Sequence, residues 1–120
     1  LNSVLGPAPR RVDEAVKKAA EITGVGRLTD FNPHDEDDFP AEPGVYVFYD
    51  ISERPIYVGE SSNIKARVRN HVDKFWYKSP IVETAAYVKV DAASLRKQLE
   101  ETLIKFLKSD AVINKKAVDR

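Results

Sequence analysis

The chain has 120 residues, of which 42% are hydrophobic and 32% charged, and its formal net charge is +0. These values are typical of one globular domain. No apolar run approaches the ~20 residues of a membrane span, and no signal-peptide pattern opens the chain. We therefore expect a cytoplasmic protein with no membrane partner. The absence of cysteine and the presence of only two histidines exclude thiolate and all-histidine metal sites, so any metal ion would be bound mainly by carboxylate oxygens.

The first third of the chain predicts a helix followed by a linker. Apolar residues recur at helical spacing between residues 12 and 22, and Gly24 is a typical helix stop. Residues 28–44 contain prolines and an acidic run without apolar periodicity, and they predict a loop. We therefore divide the chain into an N-terminal helix with an acidic linker, residues 1–42, and a main domain, residues 43–120.

The rest of the chain predicts three strands and two helices. Residues 45–51 and 56–59 are β-branched and aromatic runs separated by turn residues, and they predict an antiparallel hairpin. A helix capped by Ser61 or Ser62 follows and runs to about residue 72. Residues 81–90 predict the third strand, and a long helix comes after it with Asp91 or Ser94 as its cap. A short helix could end the chain.

The apolar spacing predicts which face of each helix is buried. The order of the elements predicts an α+β fold, in which a small three-stranded antiparallel sheet is flanked by helices and carries an N-terminal helical extension. The predicted buried residues are Ile64, Val68, Val72 and Phe75 in the first helix and Leu95, Leu99, Leu103 and Phe106 in the second.

Polar residues lie beside both of these apolar faces. Arg67 and His71 are four residues apart, which places them about 40° apart on one flank of the first helix. Arg67 would either bind a ligand near the hairpin or extend from an apolar edge into solvent. On the long helix Glu101 points away from the buried face. Glu100 lies at the margin of that face, where a carboxylate is expected to pair with Arg96 or to bind a metal ion.

A specific set of short motifs spans most of the predicted main domain. The tripeptides GVY and YVG begin at Gly44 and Tyr57, with ten residues between their tyrosines, and NIKARVRNH, LEETLIK and Asn114 follow. In this combination, residues 44–116 resemble the GIY-YIG endonuclease family. The arginine and histidine four apart are similar to those of intron-encoded homing endonucleases, and residues 49–68 resemble the nuclease domain of the bacterial excision-repair incision subunit.

The resemblance implies a DNA endonuclease that hydrolyses phosphodiester bonds with Mg²⁺ or Mn²⁺ as its cofactor. It implies that Arg67 binds a phosphate oxygen, that Glu100 binds the metal ion, and that one of the two motif tyrosines is the general base. We expect these tyrosines to be exposed together on one face of the sheet. The catalytic positions that the resemblance implies are Tyr46, Tyr57, Arg67, His71, Glu100 and Asn114.

The charge pattern predicts where DNA would bind. Basic residues dominate residues 63–78, and the predicted DNA contacts are Lys65, Arg69, Lys74 and Lys78. The acidic run of residues 30–42 would shield this surface, so deleting the residues before Ala41 would tighten DNA binding at low salt.

Two features qualify the predicted nuclease. Because Glu60 stands where the excision-repair branch has a lysine, the alternative function is a catalytically inactive module of the same fold that binds nucleic acid or protein. Because the chain starts at Leu1 and contains no methionine, we expect it to be part of a longer protein whose DNA targeting lies in a separate domain or subunit.

Overall fold

The structure is a computed structural model and describes residues 27–107, with side chains described up to residue 105. The predicted N-terminal helix, the short helix at the end and Asn114 lie outside the described residues. The strands are β1 (Thr29–Phe31), β2 (Gly44–Tyr49), β3 (Pro55–Ser61) and β4 (Thr84–Lys89), and the helices are α1 (Ile64–Arg69) and α2 (Ala93–Leu107). Two 3₁₀ turns, Glu36–Asp38 and Phe75–Tyr77, lie in the connections.

The sheet is antiparallel and its strands lie in the order β1-β4-β2-β3. The predicted hairpin of β2 and β3 and the α+β fold class are confirmed. The sheet has four strands rather than the predicted three, because Thr29 pairs with Tyr87 and Phe31 pairs with Ala85. Three residues are too few to show the alternation that marks a strand. With Phe31 and Phe39 buried, the segment interpreted as a linker is part of the core, and the division at residue 42 stays a prediction.

The sheet has an apolar layer on each side, because successive side chains of a strand point in opposite directions. We call one layer the aliphatic face; it consists of Val45, Val47, Tyr49, Val58, Ala86, Val88 and Val90 with Leu99 and Leu103 of α2. We call the other the aromatic face; its main members are Tyr46, Phe48, Tyr57, Trp76 and Tyr77, with Ile64 and Val68 of α1. The predicted burial of Ile64, Val68, Leu99 and Leu103 is confirmed.

The first helix is shorter than predicted and is capped differently. Asn63, not Ser61 or Ser62, is its N-cap, and the Asn63 side chain accepts a hydrogen bond from the Ala66 amide at 3.3 Å. The helix ends at Arg69 rather than near residue 72.

The end of α1 explains why its predicted buried stripe was partly wrong. The His71 amide donates to the Val68 carbonyl at 2.9 Å, which is the i to i−3 bond of a 3₁₀ turn. Because three residues complete such a turn, His71 returns to the side of Val68 and takes the inward place that Val72 would have in a longer α-helix. His71 is buried, whereas Val72 and Phe75 are 45% and 84% exposed.

The long helix α2 covers the aliphatic face. It begins at Ala93, so Ser94 lies inside the helix rather than ahead of it as a cap. In the part of the chain that the structure describes, neither this helix nor α1 is long and apolar enough to cross a membrane.

Candidate active site

The two motif glycines are required by close approaches of other groups. Tyr46 of β2 pairs with Gly59 of the edge strand β3, and the Tyr46 ring lies over that glycine. A Cβ atom built on Gly59 would lie 2.4 Å from Tyr46 Cζ and 2.5 Å from its hydroxyl oxygen. A Cβ on Gly44 would lie 2.2 Å from the Val88 carbonyl oxygen of β4. Gly59 therefore allows the Tyr46 ring to lie across β3. Gly44 allows β2 to lie close to β4.

The Tyr46 hydroxyl forms a hydrogen bond with a buried histidine. It lies 2.8 Å from His71 Nε2, and His71 is only 2% exposed. Burial, together with the positive charges of Arg67 and Lys74, lowers the pKa of His71 to about 4. The imidazole is therefore neutral at pH 7. Its Nδ1 atom has no hydrogen-bond partner among the described residues.

Tyr57 lies between Tyr46 and Trp76 in a stack of aromatic rings. The ring centroids of Tyr46 and Tyr57 are 6.1 Å apart, and those of Tyr57 and Trp76 are 5.2 Å apart with an interplanar angle of 17°. His71 meets the Tyr57 ring edge-on at 5.0 Å. Both motif tyrosines lie on the aromatic face of the sheet. The sequence favours a core-closing role for the aromatic run of residues 75–77; Trp76 and Tyr77 do close the core, whereas Phe75 is exposed.

The predicted joint exposure of the two tyrosines is wrong. Tyr46 is 0% exposed and Tyr57 is 1% exposed. The cause is the segment after α1, which brings His71 against both rings and Trp76 against the Tyr57 ring. The side chains of both tyrosines are thus enclosed in the aromatic face.

Charged groups from both helices act on the enclosed Tyr46 hydroxyl. Burial raises the pKa of Tyr46 well above its usual range, and Tyr57 adds to the rise by its charge and by a side-chain hydrogen bond. The positive charge of Arg67 lowers the pKa of Tyr46, and the negative charge of Glu100 raises it. The pKa of this hydroxyl therefore responds to charged groups from both helices, Arg67 of α1 and Glu100 of α2.

Glu100, and not its neighbour Glu101, is the enclosed carboxylate of α2. Glu100 is 5% exposed, whereas Glu101 is exposed. Among residues 27–107, no three histidine, aspartate or glutamate side chains are grouped so that they could hold a metal ion together. A single carboxylate oxygen donor fits a hard cation such as Mg²⁺, which keeps several waters and shares its remaining ligands with substrate phosphate.

The charge of Glu60 is neutralised by Arg96. Arg96 Nε donates to Glu60 Oε1 at 3.1 Å, and both side chains are largely buried. Arg96 Nη1 also donates to the carbonyl oxygens of Val90 and Asp91, at 3.3 and 2.8 Å. The pair links the end of β3 to the start of α2, one turn before Glu100. Sequence reasoning missed it because 36 residues separate the partners.

The predicted DNA-contacting residues lie on α1 and on the segment that follows it. Lys65 and Lys74 are half-buried, and Arg69 and Lys78 are exposed. Arg69 Nε forms an ion pair with Glu36 Oε2 at 3.0 Å. The acidic segment before β2 therefore contacts the predicted DNA surface through this ion pair and through the Lys65 amide, which donates to the Pro40 carbonyl at 2.8 Å.

A family model described as the UvrC-like GIY-YIG domain matches residues 42–110 of the chain. The chain is similar to the UvrABC system protein C of Trichormus variabilis, with 33% identity over 75 residues, and to that of Corynebacterium aurimucosum, with 41% identity over 73 residues. These alignments cover 57% and 55% of this chain but only 12% and 11% of those proteins. The chain thus corresponds to a small part of the relatives it matches.

A solved structure with a similar fold comes from Thermotoga maritima. It is a point mutant of the GIY-YIG N-terminal endonuclease domain of UvrC, described as bound to its catalytic divalent cation. The similarity covers 68% of this chain and 88% of that chain, with 25% sequence identity and a TM-score of 0.50.

Proposed function

Because the chain belongs to the family of UvrC-like GIY-YIG domains, we propose that it is a DNA endonuclease domain that hydrolyses phosphodiester bonds with Mg²⁺ or Mn²⁺. The observation that carries the proposal is the enclosed Tyr46 hydroxyl, which is hydrogen-bonded to His71 Nε2 at 2.8 Å and whose pKa responds to the charges of Arg67 and Glu100. The catalytic divalent cation of the similar Thermotoga maritima domain supports a cation here.

In this proposal the two charged residues have different roles. Glu100 holds the cation through its carboxylate. When bound, the cation supplies positive charge that polarises the phosphate and stabilises the leaving oxygen. Arg67 donates hydrogen bonds to a non-bridging phosphate oxygen, where its planar guanidinium can form two parallel bonds.

Of the two tyrosines, Tyr46 is the one we assign as the general base, because its hydroxyl can donate a hydrogen bond to the neutral imidazole of His71, which leaves an oxygen lone pair to accept the proton of water. The raised pKa of Tyr46 opposes this role. The positive charge of Arg67 already counteracts the rise in the pKa of Tyr46. A cation held by Glu100 would lower this pKa further. Tyr57 holds the Tyr46 ring in place by stacking.

The burial of both tyrosines supports a second candidate function. Since Tyr46 and Tyr57 are enclosed, the segment that carries His71 and Trp76 must move before a phosphate can reach them. A domain that binds nucleic acid or a protein without cleavage would not need this movement. The ion pair of Glu60 with Arg96 removes one argument for this candidate, because Glu60 adds no unpaired negative charge.

The biological setting is also part of the proposal. The match to UvrC-like domains favours DNA repair inside the cell over a mobile element. A domain with formal net charge +0 binds DNA weakly by electrostatics alone, so we propose that a separate domain or subunit directs it to its DNA.

The decisive experiment is nicking of supercoiled plasmid by the full chain with Mg²⁺ or Mn²⁺. Glu100→Gln should lower the nicking rate by about 10³-fold, because a buried carboxylate that holds the cation is lost. Glu101→Gln is the matched control and should keep the wild-type rate, since Glu101 is exposed. Chelation with EDTA should stop nicking.

Two results would contradict the proposal. Metal-dependent nicking that survives Glu100→Gln would show that this residue does not hold the cation. Absence of nicking by a folded wild type that still binds DNA would favour the non-cleaving module.

A further inference from the structure

Phe75 is a large aromatic side chain that the fold leaves in solvent. It is 84% exposed, more than the other exposed large hydrophobic residues of the described chain, which are Ile51, Val72 and Ile81. Its neighbours Trp76 and Tyr77 are 1% and 2% exposed. A single exposed apolar residue is common on protein surfaces, so its exposure alone carries no inference.

The position of Phe75 is fixed relative to the candidate active site. The Lys74 amide donates to the His71 carbonyl at 2.9 Å, and the Tyr77 amide donates to the Lys74 carbonyl at 3.1 Å. Trp76 stacks on Tyr57 and packs against His71. Phe75 is thus adjacent in the chain to the wall of the site, with a Cα separation of about 3.8 Å from Trp76.

The charges around Phe75 are those of a surface that binds a polyanion. Lys74 precedes it directly, and Lys78 lies just after the 3₁₀ turn that contains it. Because the Lys74 amide is hydrogen-bonded to the His71 carbonyl, Lys74 adjoins the site, and its positive charge lowers the pKa of His71. Asp73 is the single acidic residue among residues 63–78.

We propose that Phe75 stacks on a nucleobase that is unpaired or displaced beside the phosphate bound at the site, while Lys74 and Lys78 bind the flanking phosphates. Aromatic stacking on bases does not depend on their sequence, because every base has a π face. The domain would therefore prefer DNA with a bulged, mismatched or single-stranded position over a perfect duplex. This inference rests on the proposed function, since DNA is the ligand.

The test measures DNA binding without cleavage, in EDTA and at low salt, by fluorescence anisotropy. One duplex is fully paired and the other carries a single bulged 2-aminopurine, whose fluorescence falls when an aromatic ring stacks on it. The wild-type chain should bind the bulged duplex more tightly and quench its fluorescence. Phe75→Ala should weaken binding to the bulged duplex about 5- to 100-fold and abolish the quenching, with little effect on the paired duplex.

Three further variants separate stacking from other effects. Phe75→Trp should retain both affinity and quenching. Ile51→Ala, which removes another exposed apolar side chain, should behave like the wild type. Lys78→Ala should weaken binding to both duplexes equally and reduce the dependence of affinity on salt.

The outcomes distinguish this inference from the proposed function. If Phe75→Ala binds and quenches like the wild type while plasmid nicking depends on Glu100, only the inference is overturned. If Phe75→Ala weakens both duplexes equally, Phe75 contacts DNA but does not recognise a displaced base, which also overturns it. If the folded wild type binds neither duplex and nicks no plasmid, both proposals are wrong.

Discussion

The two faces of the central sheet are built from the same strands but bury different groups. On β2, Val45 and Val47 point to the aliphatic face, and Tyr46 and Phe48 point to the aromatic face. The aliphatic face packs on the long helix α2. The aromatic face is closed by a short helix and an irregular segment that carry His71 and Trp76.

The difference shows how a small domain can separate stability from chemistry. Burial of the aliphatic side chains contributes stability, and these side chains themselves carry no titratable group. On the aromatic face burial raises the pKa values of Tyr46 and Tyr77 and lowers that of His71, so the enclosed groups are tuned by their surroundings. Adjacent residues of one strand can therefore serve different purposes.

The largest expected effect comes from the same substitution on each face of β2. Tyr46→Phe should slow plasmid nicking by about 10²- to 10⁴-fold, because the proposed general base loses its hydroxyl. Tyr49→Phe removes a buried hydroxyl from the aliphatic face and should leave the nicking rate unchanged. Equal losses in the two variants, measured on folded protein, would show that the faces do not divide chemistry from stability.

A core substitution under α2 should affect stability without affecting chemistry. Leu103 is 0% exposed, so Leu103→Ala should lower the free energy of unfolding in urea by about 2–5 kcal/mol. Lys97→Ala on the exposed side of the same helix should change it by less than about 0.5 kcal/mol. A large loss of nicking rate in Leu103→Ala, under conditions where it is fully folded, would contradict this separation.

The aromatic face should make stability depend on pH. The pKa of His71 is about 4 in the folded state and 6.5 for an unperturbed histidine, so between these values the unfolded state binds a proton that the folded state does not. The stability from this group is complete above pH 6.5 and is lost as pH falls towards 4, by about 3 kcal/mol in all.

His71→Gln removes this dependence and isolates it from other acid effects. Urea unfolding of the wild type and the variant at several pH values between 7 and 4 should show the wild type losing more stability than the variant as pH falls. Parallel losses in the two proteins would show that His71 is not the neutral, enclosed group that the aromatic face requires.

The smallest expected effect concerns the outer surface beside the aromatic face. Glu36→Gln breaks an exposed ion pair with Arg69, so DNA binding at low salt should tighten by no more than about 5-fold, and the gain should disappear as salt is raised. Glu101→Gln, measured by anisotropy on the same duplex, is the charge-matched control. If both variants tighten binding equally, the cause is net charge and not the release of Arg69.

Glu36→Gln is a better test of shielding than deletion of the residues before Ala41, which the sequence suggested. Removing the residues before Ala41 would also remove β1 and the buried rings of Phe31 and Phe39. A truncated chain would therefore report on folding rather than on shielding of the basic surface.

Local patterns were sufficient for the hairpin, for β4 and α2, and for the choice between neighbouring residues. The continuous runs of β-branched and aromatic residues predicted β2 and β3, and the helical spacing of Leu99 and Leu103 predicted the buried side of α2. The same geometry separated Glu100 from Glu101, because two adjacent helical residues point about 100° apart. These features depend only on residues close together in the chain.

The tertiary structure decided the features that join distant parts of the chain. The pairing of β1 with β4, the contact of Arg96 with Glu60 and the enclosure of both motif tyrosines depend on where separate elements meet. Even the inward position of His71 was decided by the early end of α1, since a change from 3.6 to 3 residues per turn moves the buried place from residue 72 to residue 71.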